Sequence, residues 1–220
     1  MIYRMNKGDG EDSHKEPDDF AERFSGWHYE LGFGDGSASV APYVPTPQIL
    51  VNKMLELVEA GPGDVLYDLG CGDGRFLITA VDEFKVEKAV GYELNKHLYA
   101  VAEDNVAKSG LIDEIRIESG DFMDADFSEA TIITLYLTTS GNAKLRPKFK
   151  EELKPGTRII SHDFPIMDWT QSTQDKEALN IGDHKVFIYR IPEAYAENNE
   201  KKKTPSEDRW GRIKKLFERL

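Results

Sequence analysis

The chain predicts an α/β fold, a Rossmann-like doubly wound sheet that is mostly parallel, and three observations carry that prediction. Apolar strand-like runs recur at VLYDL (65–69), KAVGYE (88–93), IRIES (115–119), TIITLYL (131–137) and TRIISH (157–162). Helical stretches separate several of them, and continuous apolar strands divided by helices make a parallel sheet covered on both faces. A glycine-rich loop, DLGCGDGR at 68–75, follows the first strand, where a doubly wound sheet binds its ligand.

The elements follow in order. Residues 1–40 are acidic and turn-rich and predict a largely disordered segment with one short helix near 20–27. The predicted domain spans 41–192 and opens on PYVPTP, where Thr46 can cap and Pro47 can start a helix reaching residue 60. Leu50, Val51, Met54, Leu55 and Val58 share one face of it, and GPG at 61–63 ends it. Further helices are expected at RFLITAVDEF (75–84), NKHLYAVAEDNVAKSG (95–110) and NAKLRPKFKEELKPG (142–156). KVFIYRI (185–191) has no room for a helical crossover before it, so an antiparallel edge or hairpin strand is expected. Residues 193–220 read as a charged linker and a short amphipathic helix carrying Trp210, Ile213, Leu216, Phe217 and Leu220.

Composition removes several classes of function. Lys and Arg total 28 against 40 Asp and Glu, a net charge of −12 that argues against direct nucleic-acid binding and suits a basic, lysine-rich protein partner. Cys71 is the sole cysteine, which excludes intrachain disulfides and thiolate metal clusters. No apolar run approaches the ~18 residues of a membrane span, and the first 40 residues are too polar for a signal peptide; a cytoplasmic protein is expected.

The loop itself specifies a ligand. Gly70, Gly72 and Gly74 let a ligand lie against the main chain, with the N–H groups of the next helix nearby. The spacing is G-x-G-x-G rather than G-x-G-x-x-G, and Asp68 and Asp73 would repel a pyrophosphate but suit a cationic amine. Glu93, ending the second strand, can accept hydrogen bonds from ribose hydroxyls. Asp121 can accept from an exocyclic amine while Phe122 covers a purine face. An amine, a ribose and an adenine without phosphates describe S-adenosyl-L-methionine.

DLGCGDGR, GYEL and SGDF, in that order, resemble the cofactor motifs of class I S-adenosylmethionine-dependent methyltransferases. PYVPTP, ATIITLYLTT and ELKPGTRIISHDF narrow the resemblance to the archaeal broad-specificity protein-lysine methyltransferases and their mitochondrial relatives, over residues 41–191. The resemblance implies that Asp68 and Gly70 meet the methionine amine, Glu93 the ribose, and Asp121 with Phe122 the adenine. It further implies that Tyr43 and Thr46 close over the cofactor. Tyr136 departs from the phenylalanine of the archaeal family members.

Methyl transfer from a sulfonium depends chiefly on positioning. Pyrimidine carbon methylation would need a cysteine nucleophile, and the only cysteine lies in the glycine loop. The [ND]-P-P-[YF] run that accompanies amide and adenine-amine methylation is replaced by LYLT, and no metal site is expected. A lysine acceptor has to lose its proton, and an apolar or aromatic channel promotes that by desolvation. Tyr136, Leu137, Phe164 and Trp169 are candidate lining residues, with His162 and Asp163 of SHDF either hydrogen-bonded structurally or touching substrate. His14, His28, His97 and His184 read as surface residues. Two other readings keep the cofactor: a small-molecule or RNA methyltransferase, and a cofactor-binding regulatory module without turnover.

Overall fold

A computed structural model describes residues 44–172 and 180–195. The sequence readings for 1–40 and for the C-terminal helix, together with Tyr43, lie outside the described residues.

Seven strands form the sheet: β1 (Val65–Leu69), β2 (Lys88–Glu93), β3 (Ile115–Ser119), β4 (Ile132–Leu135), β5 (Arg158–His162), β6 (Asn180–Ile181) and β7 (His184–Arg190). Their order is β3-β2-β1-β4-β5-β7-β6. β1 pairs in parallel with both β2 and β4, so the chain reverses direction across the sheet between them, and a crevice opens at the carboxyl ends of these strands. β7 runs antiparallel to β5, as expected for a strand with no crossover helix, but β6 rather than β7 forms the edge.

Among the described residues four α-helices cover the sheet: α1 (Gln48–Leu57), α2 (Arg75–Asp82), α3 (Lys96–Ser109) and α4 (Thr139–Glu152). The apolar face of α1 is buried as its spacing predicts, through Leu50, Val51, Met54 and Leu55. Its start differs from the sequence reading. Thr46 does not cap it; the Thr46 hydroxyl turns to His162 instead. Asn95 caps α3 by accepting from the His97 and Leu98 amides, and Gly110 closes that helix at φ 74°.

The largest boundary difference falls after β4. The run TIITLYL was expected to stay extended to residue 137, but the strand stops at Leu135. Thr138 then accepts a hydrogen bond from the Gly141 amide and opens α4 four residues after the strand's last position. Tyr136, Leu137 and Thr138 therefore form a tight strand-to-helix turn at the mouth of the crevice. Sequence pattern missed this because the β-branched Thr138–Thr139 pair extends the strand-like composition past the true stop.

One core cluster runs beneath this mouth: Tyr67, Phe127, Phe149, Trp169 and Tyr189 are buried in it with Leu69, Ile133 and Ile159. Trp169 packs against Phe149, Tyr189 and Tyr195 at ring separations of 6.2, 6.1 and 5.0 Å. Trp169, a candidate lining residue of the substrate channel, is thus buried in the core cluster. A tryptophan two residues past an aliphatic position, Met167, gave no sign of which way it would turn.

Candidate functional site

Two halves meet at the carboxyl edge of the sheet. On the first, β1 delivers Asp68, which is buried and accepts a hydrogen bond from Thr134 Oγ1 at 2.7 Å across the β1–β4 ladder. Burial lifts its carboxyl to about 7, the Thr134 bond opposes that rise, and the neighbouring Glu93 and Asp73 charges add to it. The Glu93 and Asp73 charges that act on Asp68 are both negative. That is an incomplete site for a carboxylate, and an ammonium group would complete it.

Gly70, Gly72 and Gly74 have φ of 87°, 57° and 83°, the left-handed conformation that glycine adopts without penalty. A Cβ on Gly70 would reach to 3.4 Å of Leu137 Cδ2, so the turn after β4 closes directly over the start of the loop. Glu93 holds the loop from the side. Its Oε2 accepts from the Gly72 amide at 2.9 Å and its Oε1 from the Asn95 amide at 2.8 Å. Burial raises its pKa, while these backbone bonds pull it down. The ribose acceptor of the sequence reading is also the residue that shapes the loop.

Asp73 does not join Asp68 in facing the crevice. Arg75 Nε donates to Asp73 Oδ1 at 2.9 Å, a second guanidinium nitrogen contacts Oδ2, and Arg75 Nη1 reaches the Thr46 carbonyl at 2.9 Å. Arg75 so ties the loop to the segment ahead of α1. Asp121 caps the 3₁₀ turn at Phe122–Asp124 by accepting from the Met123 amide at 2.9 Å, and Phe122 packs partly buried against the core.

On the second half, the Tyr136 ring lies 3.8 Å from the His162 ring and 6.2 Å from that of Phe164, itself about one-third exposed at 36%. His162 is fully buried, with Nδ1 3.0 Å from Thr46 Oγ1 and Nε2 2.9 Å from His184 Nδ1. Burial drives its pKa down to about 4, partly opposed by Asp163 and assisted by His184. Asp163 adopts φ 56°, accepts from the Lys185 amide at 2.8 Å, and stands 3.2 Å from His184 Nδ1. His184, read as a surface residue, is partly exposed, and its imidazole meets His162 and Asp163.

The structure thus gathers Asp68, Gly70, Gly72 and Glu93 at the loop, and Tyr136, His162 and Phe164 beside it, with Leu137 between. Sequence reasoning missed Thr134, Arg75 and Gly91. The last had a visible signal, a glycine inside an apolar strand. A Cβ there would lie 2.6 Å from Leu77 Cδ1 and 2.7 Å from Cys71 Sγ, so only glycine lets the loop lie this close to β2.

Comparison with known proteins gives the chain's relatives. Residues 68–173 match the model of the ANTKMT methyltransferase domain. Over 156 residues the chain is 45% identical to a protein-lysine N-methyltransferase of Saccharolobus islandicus (strain REY15A), a match covering 69% of this chain and 94% of that protein. It is 28% identical to the adenine nucleotide translocase lysine N-methyltransferase of Mus musculus, over 68% of this chain and 63% of that one. Among solved structures, an RNA methyltransferase from Salinibacter ruber in complex with S-adenosyl-L-homocysteine aligns with TM-score 0.64 and 41% identity, covering 68% of this chain and 95% of that chain.

Proposed function

The chain belongs to the S-adenosylmethionine-dependent protein-lysine N-methyltransferase family, and from that premise we propose how its residues divide the work. It transfers methyl groups to lysine ε-amines of proteins.

Bound S-adenosyl-L-methionine supplies an electrophilic methyl group on a sulfonium. Asp68 is assigned to its amino group. The single observation that carries this is a buried carboxylate whose neighbouring charges are Glu93 and Asp73. Gly70 and Gly72 give backbone access, Glu93 is assigned to the ribose, and Asp121 with Phe122 to the adenine. Tyr43 and Thr46 are assigned to the cover over the cofactor.

On the acceptor side, Tyr136, Leu137 and Phe164 are assigned to a channel for the lysine side chain, with His162 supporting the Tyr136 ring from behind. A free lysine, with pKa near 10.4, costs about 4.6 kcal/mol to neutralise at pH 7. Desolvation between apolar and aromatic groups lowers that cost, and the tyrosine ring face favours a nearby cationic centre. Burial raises the Tyr136 hydroxyl's pKa, and Asp163 adds to that, so the phenol stays protonated at neutral pH and serves through its ring. Residues 41–192 constitute the proposed catalytic domain, and the net charge of −12 supports basic protein substrates. Among the described residues, no helix is long and apolar enough to cross a membrane; the cytoplasm is the proposed compartment.

The similarity to an RNA methyltransferase gives a second acceptor class to test. The protein should be incubated with isotope-labelled S-adenosyl-L-methionine and, separately, a lysine-rich basic protein and total RNA. Label mapping to lysine ε-amines by mass spectrometry, with none in RNA, is the expected result. Label in the RNA alone would overturn the lysine reading.

A further inference from the structure

We propose that His162, Asp163 and His184 form a binding site for a divalent transition-metal ion, zinc in the first place, at the junction of β5 and β7.

The three donor atoms form a small triangle. His162 Nε2 and His184 Nδ1 are 2.9 Å apart, His184 Nδ1 and Asp163 Oδ2 3.2 Å, and His162 Nε2 and Asp163 Oδ2 3.3 Å. Hydrogen bonds cannot satisfy all three edges at once. Each ring nitrogen has one direction in its plane, holding either a proton or a lone pair. If both nitrogens donate to the carboxylate, two N–H groups crowd each other; if one donates to the other, the acceptor nitrogen's lone pair is left against the carboxylate. A cation inside the triangle takes a lone pair from every corner. Zinc bonds of about 2.0–2.2 Å to nitrogen and oxygen, at angles between 90° and the tetrahedral value, place neighbouring donors roughly 2.9–3.5 Å apart. The observed edges fall in that range.

Second contacts hold the triangle in place. His162 Nδ1 faces Thr46 Oγ1 at 3.0 Å, and a hydroxyl accepting the Nδ1–H leaves the Nε2 lone pair pointing into the triangle. Asp163 Oδ1 is anchored by the Lys185 amide at 2.8 Å, which leaves Oδ2 for the metal. The left-handed backbone of Asp163, with its amide bonded to the Lys185 carbonyl at 2.7 Å, folds the carboxylate back between the two imidazoles. Strain of this kind at an aspartate is tolerated where its surroundings over-determine it. Two imidazoles and one carboxylate, without thiolate, favour zinc and its nitrogen-preferring neighbours over magnesium or calcium, which take oxygen donors. The His184 side chain is 36% exposed, which leaves the cluster open to solvent for a water ligand.

The site stands independently of the acceptor class, and its test reads binding rather than turnover. The full chain, freed of metal by chelation and dialysis, is titrated with zinc chloride by calorimetry and with cobalt(II) by visible absorption. One equivalent of zinc should bind, and cobalt should give d–d bands of a low-coordinate nitrogen and oxygen site. Asp163→Asn retains an amide oxygen for Lys185 and a side chain that tolerates left-handed φ, so it should stay folded, which circular dichroism checks. It and His184→Ala should each weaken zinc binding by more than ~10-fold, the scale at which even outer partners of a metal act. His97→Ala, on α3, should leave binding unchanged. Absence of stoichiometric zinc binding by the native chain would overturn the proposal, and so would binding that both Asp163→Asn and His184→Ala leave intact.

Discussion

The two halves of the crevice handle buried charge in opposite ways. On the glycine-loop side, Asp68, Asp73 and Glu93 are all buried, and Glu93 is bonded to the loop between the other two through the Gly72 amide. Arg75 neutralises Asp73 and backbone amides serve Glu93, while Asp68 receives one hydroxyl bond. On the β5–β7 side a single acid, Asp163, is set against two imidazoles and a main-chain amide, and its pKa is lowered. One half holds an excess of negative charge that a cationic ligand would balance. The other gives its single acid hydrogen-bonding partners and offers aromatic surface. Cofactor capture and acceptor desolvation ask for those two environments, and a sheet whose strands end side by side can supply both within one crevice.

The largest expected effect tests the unpaired acid. The folded-state pKa of Asp68 is raised to about 7 from an ordinary carboxylate value of 3.8, so the ligand-free fold favours the protonated form. Its contribution is fully present below the unfolded pKa and is lost as pH rises towards 7. By linkage this amounts to about 4 kcal/mol between pH 4 and pH 8. Thermal unfolding of the ligand-free protein should therefore fall in midpoint over that window, and Asp68→Asn should flatten the slope. Cofactor affinity should move the other way, rising with pH up to about 7 as the carboxylate ionises. A cofactor affinity independent of pH would break the contrast between the halves.

Glu93→Ala comes next. It removes an acceptor from two backbone amides, and hydrogen bonds to a charged group contribute roughly 1.5–3 kcal/mol. Calorimetry should show cofactor binding weakened by about 10- to 150-fold. Unchanged affinity in a folded variant would remove Glu93 from the site. Gly91→Ala probes the same half through packing alone. The added methyl meets Leu77 and Cys71 below 3.0 Å, and overpacking of this kind costs about 1–3 kcal/mol, read as a lower unfolding midpoint.

The smallest effects belong to the aromatic half. Tyr136→Ala should lower turnover by roughly 2- to 30-fold, the range of a cation–π contact, with a lesser effect on cofactor affinity. Tyr136→Phe should keep most activity. If both are equally damaging, the hydroxyl is needed and desolvation is not the device. If neither matters, Tyr136 only packs on His162.

The two halves also differ in how far they could be read in advance. Residues 68–75 and 93–95 lie in two short runs, and positive-φ glycines beside acids announce a ligand loop directly. The parallel sheet followed from the alternation of apolar runs and helices, and the antiparallel β7 from its short connection, while the strand order did not. The acceptor half draws on residues 46, 136, 162–164 and 184, which only the completed sheet brings together. Nothing local to Thr46 distinguishes a helix cap from a partner of His162, 116 residues away. His184 follows a turn, as surface histidines do, and its meeting with His162 depends on β7 pairing with β5. Long-range register, rather than local chemistry, was the missing information.

Asp68 has a kinetic consequence as well. The amine, ribose and adenine assigned to Asp68, Glu93 and Asp121 survive methyl transfer unaltered, so residues in those roles would grip the spent cofactor much as they grip the fresh one. On the same assignment, the aromatic face at Tyr136 would meet the part that loses its charge. The enzyme would then be slowed by its own by-product, and its pace should follow the ratio of S-adenosylmethionine to S-adenosylhomocysteine more than the level of either.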